Sequence, residues 1–475
     1  MKKYSKIIYI ILFVLISLTP LVLIDTTPDK VSEIDNRKYS AFPEKYNRYF
    51  FNKVEAYYED RVGLRGDGLL LFSKLNEILF QYFEHPTYEC GEDGYVFFKM
   101  SPPVLTEAFS DEFFHFITSA DTYLKSRGID FIYMQNPGKD DVYREKLHHG
   151  YTYDNHIYGI LPERTANAGV DTLYTLNLLQ EAKKTQQVFN IAYDAGHWND
   201  EGRFIATSAL YKRIKNHLPD MHFPEKEDFC IGKELIEHHK VLKTPLHEYV
   251  PKYVLNNPPP YVDMTDDFPN ISIHPQHRYF LHWENPNSPN GKKILYFHGS
   301  FYVSHPDFLA GDAAEFTAIH NYENILNLPY YINLFEPDLV VFIASNYTLC
   351  STYYDEDALI NTDFNPALDS INANIYDHML PSANWTCTTS EENPVTLTVS
   401  NPVEDGRYAY AVFDKNPDIV YDLTFDTEDS MLELVLQHSQ IFPDDSGQII
   451  IINKDGTSGY TMPFHGIDGL SGKAH

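Results

Sequence analysis

Three short stretches constrain the fold of this chain more than anything else in it. Ile129-Asp130-Phe131-Ile132-Tyr133-Met134, Lys293-Ile294-Leu295-Tyr296-Phe297 and Leu339-Val340-Val341-Phe342-Ile343 are apolar on both alternating faces. Runs of five or six residues are too short for buried helices, and a strand apolar on both faces must be covered on both faces. A helical pattern at 111–125 precedes the first of them, and another at 201–217 lies between the first and the second. Strands alternating with helices predict an α/β fold with a mostly parallel sheet and helices on both sides. Apolar residues make up 43% of the chain and aromatics 15%, ample for such a core.

The remainder reads as flanking units. Met1-Lys2-Lys3-Tyr4-Ser5-Lys6 is basic, and Ile7 to Ile24 follows without a charge. As a helix this run rises about 27 Å, close to the roughly 30 Å of a bilayer core. No small-x-small cleavage site follows, only Asp25-Thr26-Thr27-Pro28. The expectation is a transmembrane anchor over 1–28, single-pass, with the chain beyond it extracytoplasmic. Residues 29–100 read as a largely helical juxtamembrane part, with helical periodicity over 45–83, a turn at Gly91-Glu92-Asp93-Gly94 and a short strand at 95–98. The α/β domain is expected over 101–384. Within it, 225–290 is rich in Pro, His and Asn and reads as a long irregular insertion, a lid or binding surface. Strand patterns at 395–399, 408–412, 420–424 and 449–452 predict a small β-rich module over 385–475.

Charge narrows the function. The formal charge is −30, which argues against a nucleic-acid partner and against a free polyanion as substrate. Cys90, Cys230, Cys350 and Cys387 form no CxxC, so no zinc site and no metal is expected; disulfides and buried free thiols both remain readings. His148-His149 and His238-His239 have no carboxylate at ligand spacing and read as surface pairs. No cofactor motif is present.

Two motifs carry chemistry. In Asp194-Ala195-Gly196-His197-Trp198-Asn199-Asp200-Glu201-Gly202, a carboxylate three residues before an imidazole reaches its ring from a loop entering a helix. Such a carboxylate fixes the tautomer and stabilises the imidazolium. Taken alone, the same spacing also describes a capping Asp beside a surface His. In Leu295-Tyr296-Phe297-His298-Gly299-Ser300, an apolar strand runs into Gly-Ser. That is how α/β hydrolytic folds present a nucleophile, and it is also an ordinary strand end with a turn serine.

Together these motifs resemble the bacterial alginate O-acetyltransferase family and related cell-envelope acyltransferases, which carry an SGNH-hydrolase-like, flavodoxin-like domain. Ile34-Asp35-Asn36-Arg37 with Phe42-Pro43, the helix around Asp60-Arg61, Gly91-Glu92-Asp93-Gly94-Tyr95-Val96-Phe97 and Asn136-Pro137-Gly138-Lys139 with Tyr143 resemble family blocks in the family's order. The resemblance spans about 30–350. The chain departs from the family's pattern in three places: Asp194 stands three positions before His197 rather than two, His298-Gly299 stands before Ser300 in place of Gly-Asp, and the block near Phe342 continues as Ile343-Ala344-Ser345-Asn346.

The resemblance implies a Ser300–His197–Asp194 triad. Asn346, Asn136 and Lys139 are then candidates for an oxyanion donor or for positioning substrate, and Trp198 for stacking on a sugar or packing beneath its loop. It implies O-acyl transfer, chiefly acetyl, to a cell-envelope or capsular polysaccharide, with a multi-pass membrane acyltransferase as acyl donor. A polysaccharide O-acetyl esterase using the same triad, and a non-catalytic glycan-binding protein of envelope assembly, are the alternatives.

Overall fold

The computed structural model describes residues 2–27, 30–32, 37–43, 46, 50–80, 85, 87–99, 105–147, 156–238, 245–371, 378–388, 393–426, 430–454, 456 and 458–470. Ile34, Asp35 and Asn36 of the opening block, together with His148, His149 and His239, lie outside these residues.

A seven-stranded sheet forms the centre. Its strands, with the hairpin inserted among them, are β1 (Asp130–Asn136), β2 (Asp171–Tyr174), β3 (Phe229–His238), β4 (Pro245–Leu255), β5 (Val262–Asp263), β6 (Phe280–Glu284), β7 (Lys293–His298), β8 (Glu315–His320) and β9 (Leu339–Ser345). The spatial order is β2-β1-β9-β7-β8-β6-β5. The pairs β1/β2, β1/β9, β7/β9 and β7/β8 are parallel; β6 pairs antiparallel with β8 and with β5.

The apolar runs form these strands because both faces are covered. Val340, Phe342 and Ala344 enter one core with Phe113, Ile117 and Leu124 of the helix Glu107–Lys125. Leu339, Val341 and Ile343 enter another with Ala206, Leu210 and Ile214 of the helix Asp200–His217. Every residue of β9 is buried. The sheet faces are therefore filled, and the open places lie where strands end. The chain leaves β7 to form β8 on one side and β9 on the other, so the carboxyl ends of these central strands border a crevice of the kind that binds ligands in open α/β sheets.

The stretch 225–290 is more regular than its composition suggests. β3 and β4 pair as a long antiparallel hairpin from Phe229↔Leu255 to His238↔Pro245, and β6 joins the main sheet. The hairpin residues are mostly exposed on both faces, so no apolar alternation is required of them.

The N-terminal expectation is corrected. The helix Lys2–Val22 forms, but among the described residues no helix is long and apolar enough to cross a membrane. The last turn of Lys2–Val22 and the residues after it are engaged elsewhere, since Gly63 N–H donates to Pro20 O (2.9 Å) and Asp25 N–H to Arg61 O (3.0 Å). The transmembrane helix in the expected fold class is thus overturned, and with it the single-pass membrane placement.

C-terminal to the central sheet, the described strands from His378–Met379 to Gly459–Asp468 form one nine-stranded, largely antiparallel sheet curled around Trp385, Leu397, Phe413, Ile449 and Phe464. It docks on the first domain through Asp422. The Arg127 guanidinium donates to both Asp422 oxygens (2.7 and 2.9 Å), and Asn333 Nδ2 donates to Asp422 O (2.7 Å).

Candidate active site

The loop 191–199 is shaped by its own side chains. Asp194 Oδ1 accepts the backbone N–H of Gly196 (2.9 Å) and of His197 (3.0 Å). This short turn folds the imidazole back over the carboxylate, with His197 Nδ1 3.1 Å from Oδ1 and 3.0 Å from Oδ2. Gly196 is required by close approach, since a Cβ there would sit 2.3 Å from the Phe98 ring. Asn199 closes the loop and starts the helix: its Oδ1 accepts Gly202 N–H (3.0 Å) and its Nδ2 donates to Gln187 O (2.8 Å). Gly202 admits Val188 O, which a Cβ would meet at 2.1 Å. The motif from Asp194 to Gly202 is thus a loop-and-cap unit in which nearly every unusual residue has a structural task.

Ser300 stands just beyond β7. The residues around it are anchored: His298, Phe301 and Tyr302 are buried, while Ser300 is exposed. Burial pushes the His298 imidazole down to about 4, so it is neutral at pH 7. Ser300 Oγ lies 2.8 Å from His197 Nε2. Hydroxyl, imidazole and carboxylate therefore form one continuous hydrogen-bonded line, assembled from two loops about a hundred residues apart.

The remaining candidates divide. Lys139 is buried, and its ammonium donates to three backbone carbonyls, Val96 (2.6 Å), Ile191 (2.7 Å) and Asp194 (3.0 Å). Burial pushes its affinity for the proton down to about 7, while Asp194 and Glu248 nearby oppose that shift. Three accepting carbonyls fit the three hydrogens of the charged form. No donor is left over for substrate. Asn346 is likewise occupied: its Nδ2 donates to Asp141 Oδ2 (2.7 Å) and Tyr174 Oη (3.1 Å), and its Oδ1 accepts from Gln135 (2.7 Å). Asn136 is buried with Oδ1 accepting from Thr175 Oγ1 (3.0 Å), and its Nδ2 has no partner among the described residues. Trp198 is 2% exposed and packs edge-on against Phe301 and Tyr302 at 4.7 and 5.5 Å, beneath the loop and out of reach of a sugar.

One residue at the site was missed. Tyr347 Oη lies 3.1 Å from Ser300 Oγ. It follows Asn346 just beyond β9, and the only sequence signal was its place two residues past that strand's end at Ser345. Burial raises its hydroxyl above the ordinary tyrosine range, so it carries a proton to donate. Among the described residues, no group of three or more His, Cys, Asp or Glu is placed to hold a metal ion.

A serine at the end of a central parallel strand, facing an Asp–His loop on a neighbouring element, is the layout of an SGNH-hydrolase-like domain. Residues 89–252 match the family described as SGNH hydrolase-like domain, acetyltransferase AlgX, so the resemblance read from the sequence holds over that stretch. Asp194, His197 and Lys139 lie inside the matched stretch, and Ser300 and Tyr347 beyond it. The chain is similar to three solved structures. PatB1 of Bacillus cereus with a sulfonyl adduct is 14% identical, with TM-score 0.42, covering 55% of this chain and 94% of that one. The O-acetyltransferase domain of Pseudomonas putida AlgJ is 17% identical, with TM-score 0.39, covering 59% and 100%. Pseudomonas aeruginosa AlgX is 12% identical, with TM-score 0.35, covering 77% and 94%. No curated protein sequence matches the chain.

Proposed function

We propose that this chain is a serine-dependent O-acetyltransferase acting on a polysaccharide. The observation that carries the reading is the 2.8 Å contact between Ser300 Oγ and His197 Nε2, with Asp194 behind the same ring. Ser300 Oγ attacks the carbonyl carbon of an acyl donor as His197 Nε2 takes its proton. Asp194 holds the Nδ1–H tautomer and stabilises the imidazolium. Charge gathers on the former carbonyl oxygen, where the Ser300 N–H and the Tyr347 hydroxyl are the donors within reach. The leaving group takes the proton back from His197, leaving an acetyl ester on Ser300. A sugar hydroxyl, deprotonated by His197, then attacks that ester and departs acetylated, as Ser300 Oγ leaves the acyl carbon and takes the proton back from His197. If water attacks instead, the protein is an esterase. The resemblance further implies an acyl-carrying membrane protein as donor, for which a small activated ester can substitute in the assay.

The test supplies p-nitrophenyl acetate to the purified protein with and without an oligosaccharide acceptor, beside Ser300→Ala. The expected result is p-nitrophenol release that drops by about 10⁴-fold in the variant, with acetyl groups appearing on the acceptor. Release without acetylated acceptor would select the esterase. Equal inertness of both proteins towards several acyl donors would overturn the reading.

A further inference from the structure

The backbone of residues 191–194, immediately before the imidazole, is gripped from two sides. On its N–H side, the Glu248 carboxylate of β4 accepts three successive donors: Ile191 N to Oε1 (2.6 Å), and Ala192 N and Tyr193 N to Oε2 (2.9 and 2.8 Å). On its carbonyl side, the Lys139 ammonium donates to Ile191 O and Asp194 O, and also ties in Val96 O. Four residues of loop thus meet a carboxylate on one side and the Lys139 amine on the other. Hydrogen bonds to charged groups are roughly twice as strong as neutral ones. The same strand holds the far end of the loop, since Tyr253 N–H donates to Asp200 Oδ2 (2.9 Å) and the Tyr253 hydroxyl to Glu201.

From this arrangement we infer that Glu248 and Lys139 are positioning residues that act through Asp194, and that the exposed β3–β4 hairpin is the part that sets the alignment of the Asp194–His197 loop. The inference rests on the proposed use of Ser300, His197 and Asp194. It explains why a lysine is spent on backbone carbonyls beside the site, and why a hairpin with little core of its own sends a carboxylate inward. Neither residue needs to touch substrate. A shift of about 1 Å in a reacting group can cost about 10²-fold in rate, and the loop has no regular secondary structure of its own to prevent such a shift.

The test compares Glu248→Gln and Lys139→Met, singly and together, in the full chain. Gln keeps the size of Glu248 but presents an amide to N–H groups that require an acceptor. Met keeps the length of Lys139 without its donors. Positioning predicts that each variant lowers kcat by about 10- to 100-fold with KM little changed, and that the double variant loses no more than the worse single one. Charge acting through space predicts the reverse pattern: losing the anion disfavours the His197 imidazolium, while losing the cation favours it, so the two rates would move in opposite directions. That outcome would overturn the inference, as would unchanged kcat in both. A second readout needs no turnover: the low-field proton resonance of the His197 Nδ1–Asp194 hydrogen bond, recorded also in the Ser300→Ala background. It should be lost or broadened in both variants, and its persistence would equally overturn the inference. If Lys139→Met fails to fold, the proton resonance of the half-buried Glu248→Gln still decides. If the wild type shows no Ser300-dependent turnover, the functional reading falls while the proton resonance still tests the clamp.

Discussion

The strand Leu339–Ser345 is buried at every residue, whereas Val395–Ser400 and Met431–Leu436 are buried at essentially every second one. Both belong to well-packed sheets, and the difference lies in what covers them. Helices close both faces of the first sheet, so no open face remains for a ligand and its polar residues collect at the strand ends. There, among the described residues, the fold also leaves polar atoms without partners: Asn136 Nδ2 at the end of β1, His298 Nε2 and His320 Nδ1 at the ends of β7 and β8, and Asn321 Oδ1 just after β8. An unmade bond of this kind costs about 1–3 kcal/mol, and these four atoms lie at the end of the sheet that holds Ser300. The second sheet has one principal core, around Trp385, and turns alternate side chains to its other face. In one region reactive groups meet at the rim of the sheet; the other is built around a single packed core.

The largest expected effect separates these roles. Asp194→Asn should lower Ser300-dependent turnover by about 10⁴-fold, because the amide no longer favours the Nδ1–H tautomer of His197. It should leave the unfolding of the second sheet unchanged, as followed by hydrogen exchange in its strands. A variant that keeps near wild-type turnover would remove Asp194 from the mechanism and reduce the comparison to packing alone.

The link between the regions comes next in size. Asp422 is buried and receives Arg127 through two oxygens. Asp422→Ala should cost about 3–5 kcal/mol, because it leaves the guanidinium without its partner. Denaturant unfolding followed by fluorescence and by turnover should then separate into two transitions, with kcat at low denaturant unaltered. A single transition at the wild-type midpoint would show that the two sheets do not depend on this contact.

Much of this was legible before any coordinates. The apolar runs marked β1, β7 and β9 to within two residues of their ends, because a strand covered on both faces has little freedom in composition. The helix patterns at 111–125 and 201–217 fell inside Glu107–Lys125 and Asp200–His217; the first begins earlier because Thr106 caps it by accepting Phe109 N–H (3.1 Å). The spacing of Asp194, His197 and Ser300 was readable because local turns build each half. What could not be read depends on distant neighbours. Tyr347 is one aromatic among 36 tyrosines until β9 places it beside Ser300. Lys139 and Asn346 were readable as polar residues near a site, but their occupied donors follow from backbone that arrives from elsewhere. The hairpin 229–255 escaped because an exposed ribbon imposes no hydrophobic period. The N-terminal run was read as a membrane span from its composition, whereas its last turn meets Gly63, and Asp25 just beyond it meets Arg61.

The smallest expected effect is a difference in acid sensitivity. Burial holds His277, His298 and His305 down to about 4 and His320 to about 3, and all four lie in the first region. In the unfolded chain each takes up a proton near pH 6.5. As pH falls from about 6.5 towards 4, the unfolded state therefore binds protons that the folded state refuses. Stability is fully present above 6.5 and is lost across that window. For the fully buried His298 the loss by pH 5 is on the order of 2 kcal/mol. Hydrogen exchange at pH 7 and pH 5 should show β7 and β8 losing protection on acidification while the strands around Trp385 change less. His298→Asn should flatten that pH dependence without abolishing it, since three other imidazoles remain. Equal acid sensitivity in the two sheets would mean that these histidines do not distinguish them, and that the strand ends beside Ser300 are no more costly to keep folded than the rest of the molecule.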